Sequence, residues 1–316
     1  MTSYVVRRLL SVLPLMLGIS LMTFALMHLA PGGPTTVMLD PTMRTEDLER
    51  ITRIYGLDQS WPTQYTHWLR RVVTGNWGRS FVDGRQVTEK ILERLPNTLW
   101  LMGLSLLVAL LVAVPLGIIS AVRQYSITDH MATIVALVGV SLPSFWYGLL
   151  LIMVFSLHFN WFPSHGMGTY GVANWIDRLR YLVLPVGVLG LGTLLATFTR
   201  HIRASMLDVI GNDYVRTARA KGLGERRVIY GHALRNALMP VVTVFGLTIP
   251  ALFGGALIVE NLFAIPGMGR LALQSALSRD YNTLMAINLV AAGLMVGANV
   301  ITDILYVLID PRIRFD

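Results

Sequence analysis

At 316 residues, 54% hydrophobic and 14% charged, with a mean hydropathy of +0.58, the chain is too apolar for a soluble domain of its size and is predicted to reside in a membrane. It contains no cysteine, which excludes disulfides and thiolate metal sites. Its net charge of +8 is spread among loops without an aromatic-interleaved basic patch, which favours lipid headgroups and a protein partner over nucleic acid.

The first apolar run, 9–30, follows Arg7-Arg8 and a short N-terminus, 1–8. It is too long for a signal peptide and lacks an Ala-x-Ala exit, so it reads as a retained span. Residues 31–96 then form an external element whose charges nearly cancel, with helix-like pieces near 45–55 and 60–74. Its aromatic residues Tyr55, Trp61, Tyr65, Trp68 and Trp77 could stack a ligand, but an interfacial belt with a small core explains them more simply.

Five further apolar segments approach the ~20 residues that a ~30 Å hydrocarbon layer requires: roughly 97–122, 131–157, 181–203, 239–262 and 283–309. Lipid offers backbone amides no partner, so all six should be helices. The basic loop 204–238 and the basic ends place both termini, including 310–316, on the cytoplasmic side. The expected fold is an all-α polytopic membrane protein with six transmembrane helices, residues 97–309 forming its core.

Within the apolar segments the carboxylates Glu260 and Asp303 stand out, each close enough to an interface for a structural role. The histidines His28, His130, His158, His165, His201 and His232 fall into no metal-ligand spacing, so no metal site is expected. No phosphate loop and no Gly-x-Ser-x-Gly elbow occurs, so the chain is not expected to hydrolyse nucleotide or to be an enzyme.

The basic stretch 211–240 lies between two spans. Asn212 or Asp213 can cap a helix that Gly222 and Gly224 end, glycine supplying the left-handed turn. Glu225 to Leu238 then resumes helix until Pro240 opens the next span. Two short helices meeting at a sharp corner are predicted, with Ala218 and Ala220 permitting close approach of another surface and the flanking Arg side chains bonding acidic groups there. Contact with anionic lipid is the alternative.

The string Arg216-Thr217-Ala218-Arg219-Ala220-Lys221-Gly222-Leu223 with His232-Ala233-Leu234-Arg235-Asn236-Ala237 resembles the membrane subunits of binding-protein-dependent ABC importers of the dipeptide/oligopeptide/nickel family. It departs from the general signature of such permeases but matches the form of their peptide branch. The likeness runs through the chain: Pro31-Gly32-Gly33-Pro34, Gly56-Leu57-Asp58, Arg94-Leu95-Pro96-Asn97-Thr98, Ser141-Leu142-Pro143, Glu260 with Pro266-Gly267 and Gly269, Arg279-Asp280-Tyr281, and Asp303 with Asp310-Pro311-Arg312. The resemblance implies the type I importer permease fold in a prokaryotic plasma (inner) membrane. Its implied partners are a second permease, two cytoplasmic ATPases that bind ATP and Mg, and an extracytoplasmic binding protein; this chain would bind no cofactor. Peptides are the implied substrate, with nickel, glutathione or oligosaccharide as alternatives, and a self-sufficient secondary transporter as the rival class. The implied coupling residues are Ala218, Arg219, Lys221, Gly222, Leu223, Gly224 and Glu225. Glu260, Pro266, Gly267, Gly269 and Asp303 are implied in structure or gating.

Overall fold

The computed structural model describes residues 2–29, 58–171 and 174–309. The helical piece expected near 45–55, the Pro31–Pro34 turn, Tyr55 and the tail 310–316 lie outside the described residues. Among the described residues ten helices follow in order: α1 Thr2–Leu29, α2 Trp61–Val73, α3 Val87–Val122, α4 Ile127–Ser141, α5 Ser144–His158, α6 Trp175–Ile210, α7 Asp213–Ala220, α8 Glu225–Leu262, α9 Met268–Leu277 and α10 Tyr281–Ile309. By length and composition, α3, α6, α8 and α10 are each long and apolar enough to cross a membrane, and the bent pair α4 and α5 makes a fifth candidate. The apolar part of α1, Leu13–Leu29, is shorter.

The structure departs from the expected single helix over 131–157. α4 and α5 meet at 107°. Pro143 has no N–H to continue the ladder, and its ring pushes Leu142 into an extended conformation (φ −88°, ψ 131°). Pro240 behaves oppositely: it sits inside α8 with Pro250, and the helix passes through both without a break. The expected short helix ending before Pro240 is therefore absent, and Glu225 begins the span helix itself. Membrane helices tolerate such prolines where neighbouring groups satisfy the freed carbonyls.

The chain divides into two compact units. In one, comprising Met1–Pro96 and Gly267–Val296, Phe24 and Met27 of α1 pack with Trp68 of α2 and Tyr281, Met285 and Leu289 of α10. The Ser20 and Tyr65 hydroxyls meet at 2.8 Å, and His28 bonds Gln64 at 3.0 Å. Tyr65 and Trp68 thus serve as the small core that the simpler reading of the external aromatics expects.

The other unit holds the main core, in which Leu101, Ala109 and Ala113 of α3 pack with Phe198, Ile202 and Met206 of α6 and with Val228, Ala233, Ala237 and Val259 of α8. Small residues let these helices approach closely, as in membrane bundles generally. A Cβ added at Gly190 would lie 2.8 Å from the Ser105 carbonyl oxygen, a backbone atom that cannot swing aside. Gly190→Ala is therefore expected to destabilise the protein by about 1–3 kcal/mol, the usual range for overpacking, read as a lowered unfolding temperature in detergent.

A candidate coupling site at the α7–α8 corner

α6 ends at Ile210, and Asn212 stands at the N-cap of α7, where its side chain makes no capping bond. α7 is amphipathic. Val215 and Ala218 are buried in the main core while Tyr214, Arg216, Thr217, Arg219 and Ala220 face outward. At its end the Gly222 N–H donates to the Arg219 carbonyl at 2.9 Å and the Leu223 N–H to the Ala218 carbonyl at 3.4 Å. This is the Schellman closure, which satisfies helix-end carbonyls and requires a left-handed residue after the cap. Gly222 supplies it, with φ +76°.

Gly224 has a different job. Its φ of −60° and ψ of 141° are open to any residue, and it serves as the N-cap of α8, its carbonyl accepting from Arg227 and Val228 at 2.9 and 3.2 Å. Of the two glycines expected to give the left-handed turn, only Gly222 does. Across the corner the Arg219 guanidinium grips Glu225 with two bonds, Nε to Oε2 at 3.1 Å and Nη2 to Oε1 at 2.7 Å. The partnership with Glu225 holds the Arg219 guanidinium above its ordinary range. The Asn236 amide donates to the Tyr214 hydroxyl at 2.9 Å, fastening α7 to the first turns of α8.

These contacts re-sort the expected coupling residues. Ala218 faces the chain's own core, 6% exposed, so it supports the corner from within instead of touching a partner. Leu223 is half-buried against the same core. Arg219 and Glu225 neutralise each other. Lys221, Arg226 and Arg227 are exposed and carry no ion pair among the described residues, so they give the tip its positive charge. Because α8 starts at Glu225 and runs 38 residues, it extends about 57 Å from the corner at 1.5 Å per residue. Between the corner and the apolar part of this helix lies a wide turn at Val228–Ala233.

Glu260 lies near the far end of that helix. It is fully buried and accepts the Thr98 hydroxyl at 2.5 Å. Its backbone carbonyl accepts the Ile265 N–H at 2.8 Å, closing α8 over Ala264, which takes a left-handed φ of 52° without being glycine. The Pro266 carbonyl accepts the Asn97 amide at 2.8 Å, so both ends of this loop are tied to the start of the apolar part of α3. Gly267 is the N-cap of α9 and Gly269 is buried in its first turn. Asp303, half-buried on α10, follows Thr302, which packs at Gly246 of α8. Glu260 and Gly246 are 14 residues apart on one helix, roughly 21 Å, so the two carboxylates do not form one site.

Sequence reading passed over three charges inside the spans. Asp129 of α4 is buried and receives Arg203 of α6 through Nε at 2.6 Å and Nη2 at 2.8 Å. The signal was present: Ser126 caps α4 by accepting the Asp129 N–H, in a Ser-x-x-acid pattern ahead of an apolar run. Arg200 lies one turn further along α6. Also unassigned was Asp280, which with Ser80 and Lys90 makes a buried polar cluster, the exposed Asp83 at its edge, in the unit containing α2.

An array of long apolar helices with an exposed cationic corner defines a membrane protein. Residues 113–315 match the model of the binding-protein-dependent transport system inner membrane component, and residues 1–102 match the N-terminal model of the same systems. The chain belongs to this family of multi-pass inner-membrane proteins. It is 45% identical to the oligopeptide transport system permease protein AppB of Bacillus subtilis, over 100% of both chains. It is 38% identical to the dipeptide transport system permease protein DppB of Escherichia coli, over 99% of both. Among solved structures, a chain of the MetNI methionine ABC transporter in inward-facing conformations shares the fold, with a TM-score of 0.53 at 15% identity, over 69% of this chain and 95% of that one.

Proposed function

We propose that this chain is one of two membrane subunits of an ATP-driven importer of peptides, that it spans the membrane six times with both termini in the cytoplasm, and that the α7–α8 corner is where cytoplasmic ATPases hold it. The observation that carries this reading is the corner itself: a helix end locked by Gly222 and the Arg219–Glu225 pair, fused without a break to a span helix. The peptide relatives, aligned end to end, support the substrate. The sequence carries no phosphate loop; ATP and Mg bind on the partners, and an extracytoplasmic binding protein delivers the substrate to the path between the two permeases. ATP closes the ATPase pair, the corner moves with it, and α8 carries the movement through the membrane. Shifting a 1:99 mixture of two states to 99:1 takes roughly 5.5 kcal/mol, which a rigid element can transmit.

The absence of native cysteine makes the test clean. Lys221→Cys in the complete complex is expected to crosslink to an ATPase subunit and to resist a membrane-impermeant maleimide applied outside the cell. Peptide uptake into liposomes by this chain alone, or labelling of that cysteine from outside, would overturn the reading.

A further inference from the structure

α4 presents a long apolar face outward. Ile127, Met131, Ile134, Val135, Leu137 and Val138 all point outward, each at least 45% exposed. Between α4 and α6 runs a groove of 270 Å³. One end is apolar, walled by Ala136, Leu137, Val140 and Ala196; the other is polar, with Thr133, Thr199 and Arg200. Arg200 is exposed, and no carboxylate reaches it among the described residues, because Asp129 is taken by Arg203 one turn away. The Thr199 side chain is 4% exposed, and its buried hydroxyl has no hydrogen-bond partner among the described residues.

An unpaired guanidinium on a span helix is costly in hydrocarbon and calls for an anionic or aqueous neighbour. A buried hydroxyl without a partner calls for an acceptor or donor from outside the chain. The same groove continues into a strip of small and branched apolar side chains that leads away from both. Charge at one end and methyl groups along the rest match a single amphipathic molecule, and basic pockets between transmembrane helices hold anionic headgroups elsewhere.

We propose that the α4–α6 groove is a binding site for an anionic phospholipid, with Arg200 and the Thr199 hydroxyl holding the headgroup phosphate and the Ala136–Val140 side an acyl chain. The Asp129–Arg203 pair positions the site by fixing the two helices in register, and it frees Arg200 by occupying the one buried carboxylate nearby. The inference rests on the groove and not on the importer reading. It gives α4, the first half of the broken span, a lipid as its packing partner.

Native mass spectrometry of the full chain, released from detergent containing equal phosphatidylglycerol and phosphatidylcholine, reads the site directly. Phosphatidylglycerol adducts should dominate in the unmodified protein. Arg200→Gln should reduce them roughly fivefold, the factor given by ~1 kcal/mol per basic side chain at an anionic surface, while Arg200→Lys retains most of them. Thr199→Val, nearly isosteric, tests the hydroxyl independently should Arg200→Gln fold poorly, and it should also weaken retention. Three results would overturn the site: equal retention of the two lipids, phosphatidylglycerol retention unchanged in both Arg200→Gln and Thr199→Val, or displacement of the lipid by millimolar inorganic phosphate, which would make it a free-anion site. Loss of peptide uptake in Arg200→Gln with lipid retention intact would assign Arg200 to the substrate path instead.

Discussion

Gly222→Pro is expected to abolish coupled peptide uptake and substrate-stimulated ATP turnover in the reconstituted complex, while the chain still inserts in the membrane. Proline cannot reach φ +76°, because its ring holds φ near −65°, and it removes the N–H that bonds the Arg219 carbonyl. The α7 end must then reorganise, and with it the link to α8. Gly222→Ala keeps the bond and meets no atom within 4 Å, so its cost is confined to the left-handed conformation, about 1–2 kcal/mol. A partial loss of coupling follows. Gly224→Ala should be close to neutral, since its backbone suits any residue and its surroundings are open. The order of effect, proline far above alanine at 222 and alanine at 224 least, is what distinguishes a turn requirement from a need for small residues at a protein contact. If Gly224→Ala impaired turnover as severely as Gly222→Pro, glycine size would be the operative property and the locked corner would not.

The corner was legible in the sequence because its chemistry is local. The helix end and the left-handed turn at Gly222 lie within one short stretch, and glycine placement announces them, whereas the bond between Arg219 and Glu225 across the turn went unread and Asn212 makes no capping bond. The apolar segments were legible for a similar reason, since a run of ~20 apolar residues carries its own signal. The prolines show where local reasoning ends. Pro143 breaks its helix by 107° and Pro240 does not interrupt α8 at all, although the amide each removes is the same. What differs is the packing around them. α4 is pinned to α6 by the Asp129–Arg203 pair, 74 residues apart in sequence, and Gly139 lies against the Gly192 backbone, while α8 packs with α3 and α6 in the main core. None of these contacts can be read from a single stretch. Ala218 was misplaced for a related reason: composition marks a small residue as suited to close approach, and only the fold shows that what approaches is the chain's own core.

The same limit hid the Asp280 cluster, whose members come from positions 80 to 283, and its removal should be the most damaging single change to stability. Asp280 is 1% exposed. Its carboxylate accepts the Ser80 hydroxyl, the Phe81 N–H at 3.1 Å and the Thr283 hydroxyl at 2.6 Å, with the Lys90 ammonium 3.6 Å away. Lys90 is itself largely buried, and it also bonds Ser80 at 3.0 Å and Asp83 at 2.8 Å. Burial pushes the Asp83 carboxyl upward, but bonds from Lys90, Ser80 and the Arg85 amide outweigh it and hold the group below its ordinary value of 3.8. Asp83 therefore stays ionised at neutral pH, and its contribution is lost only as pH falls through that depressed value. Asp280→Ala strips the Ser80 and Thr283 hydroxyls and the Phe81 and Thr283 amides of their acceptor and leaves Lys90 with Asp83 and the Ser80 hydroxyl, so a loss of about 3–5 kcal/mol is expected, as for other buried pairs broken from one side. Thermal unfolding of the detergent-solubilised protein reads it. Lys90→Met combined with Asp280→Leu should recover most of the lost stability, because replacing both charges removes the penalty of burying one. A cost below ~1 kcal/mol for Asp280→Ala would put the cluster in the class of solvated surface pairs, and the segment 80–90 would then need another anchor to the start of α10.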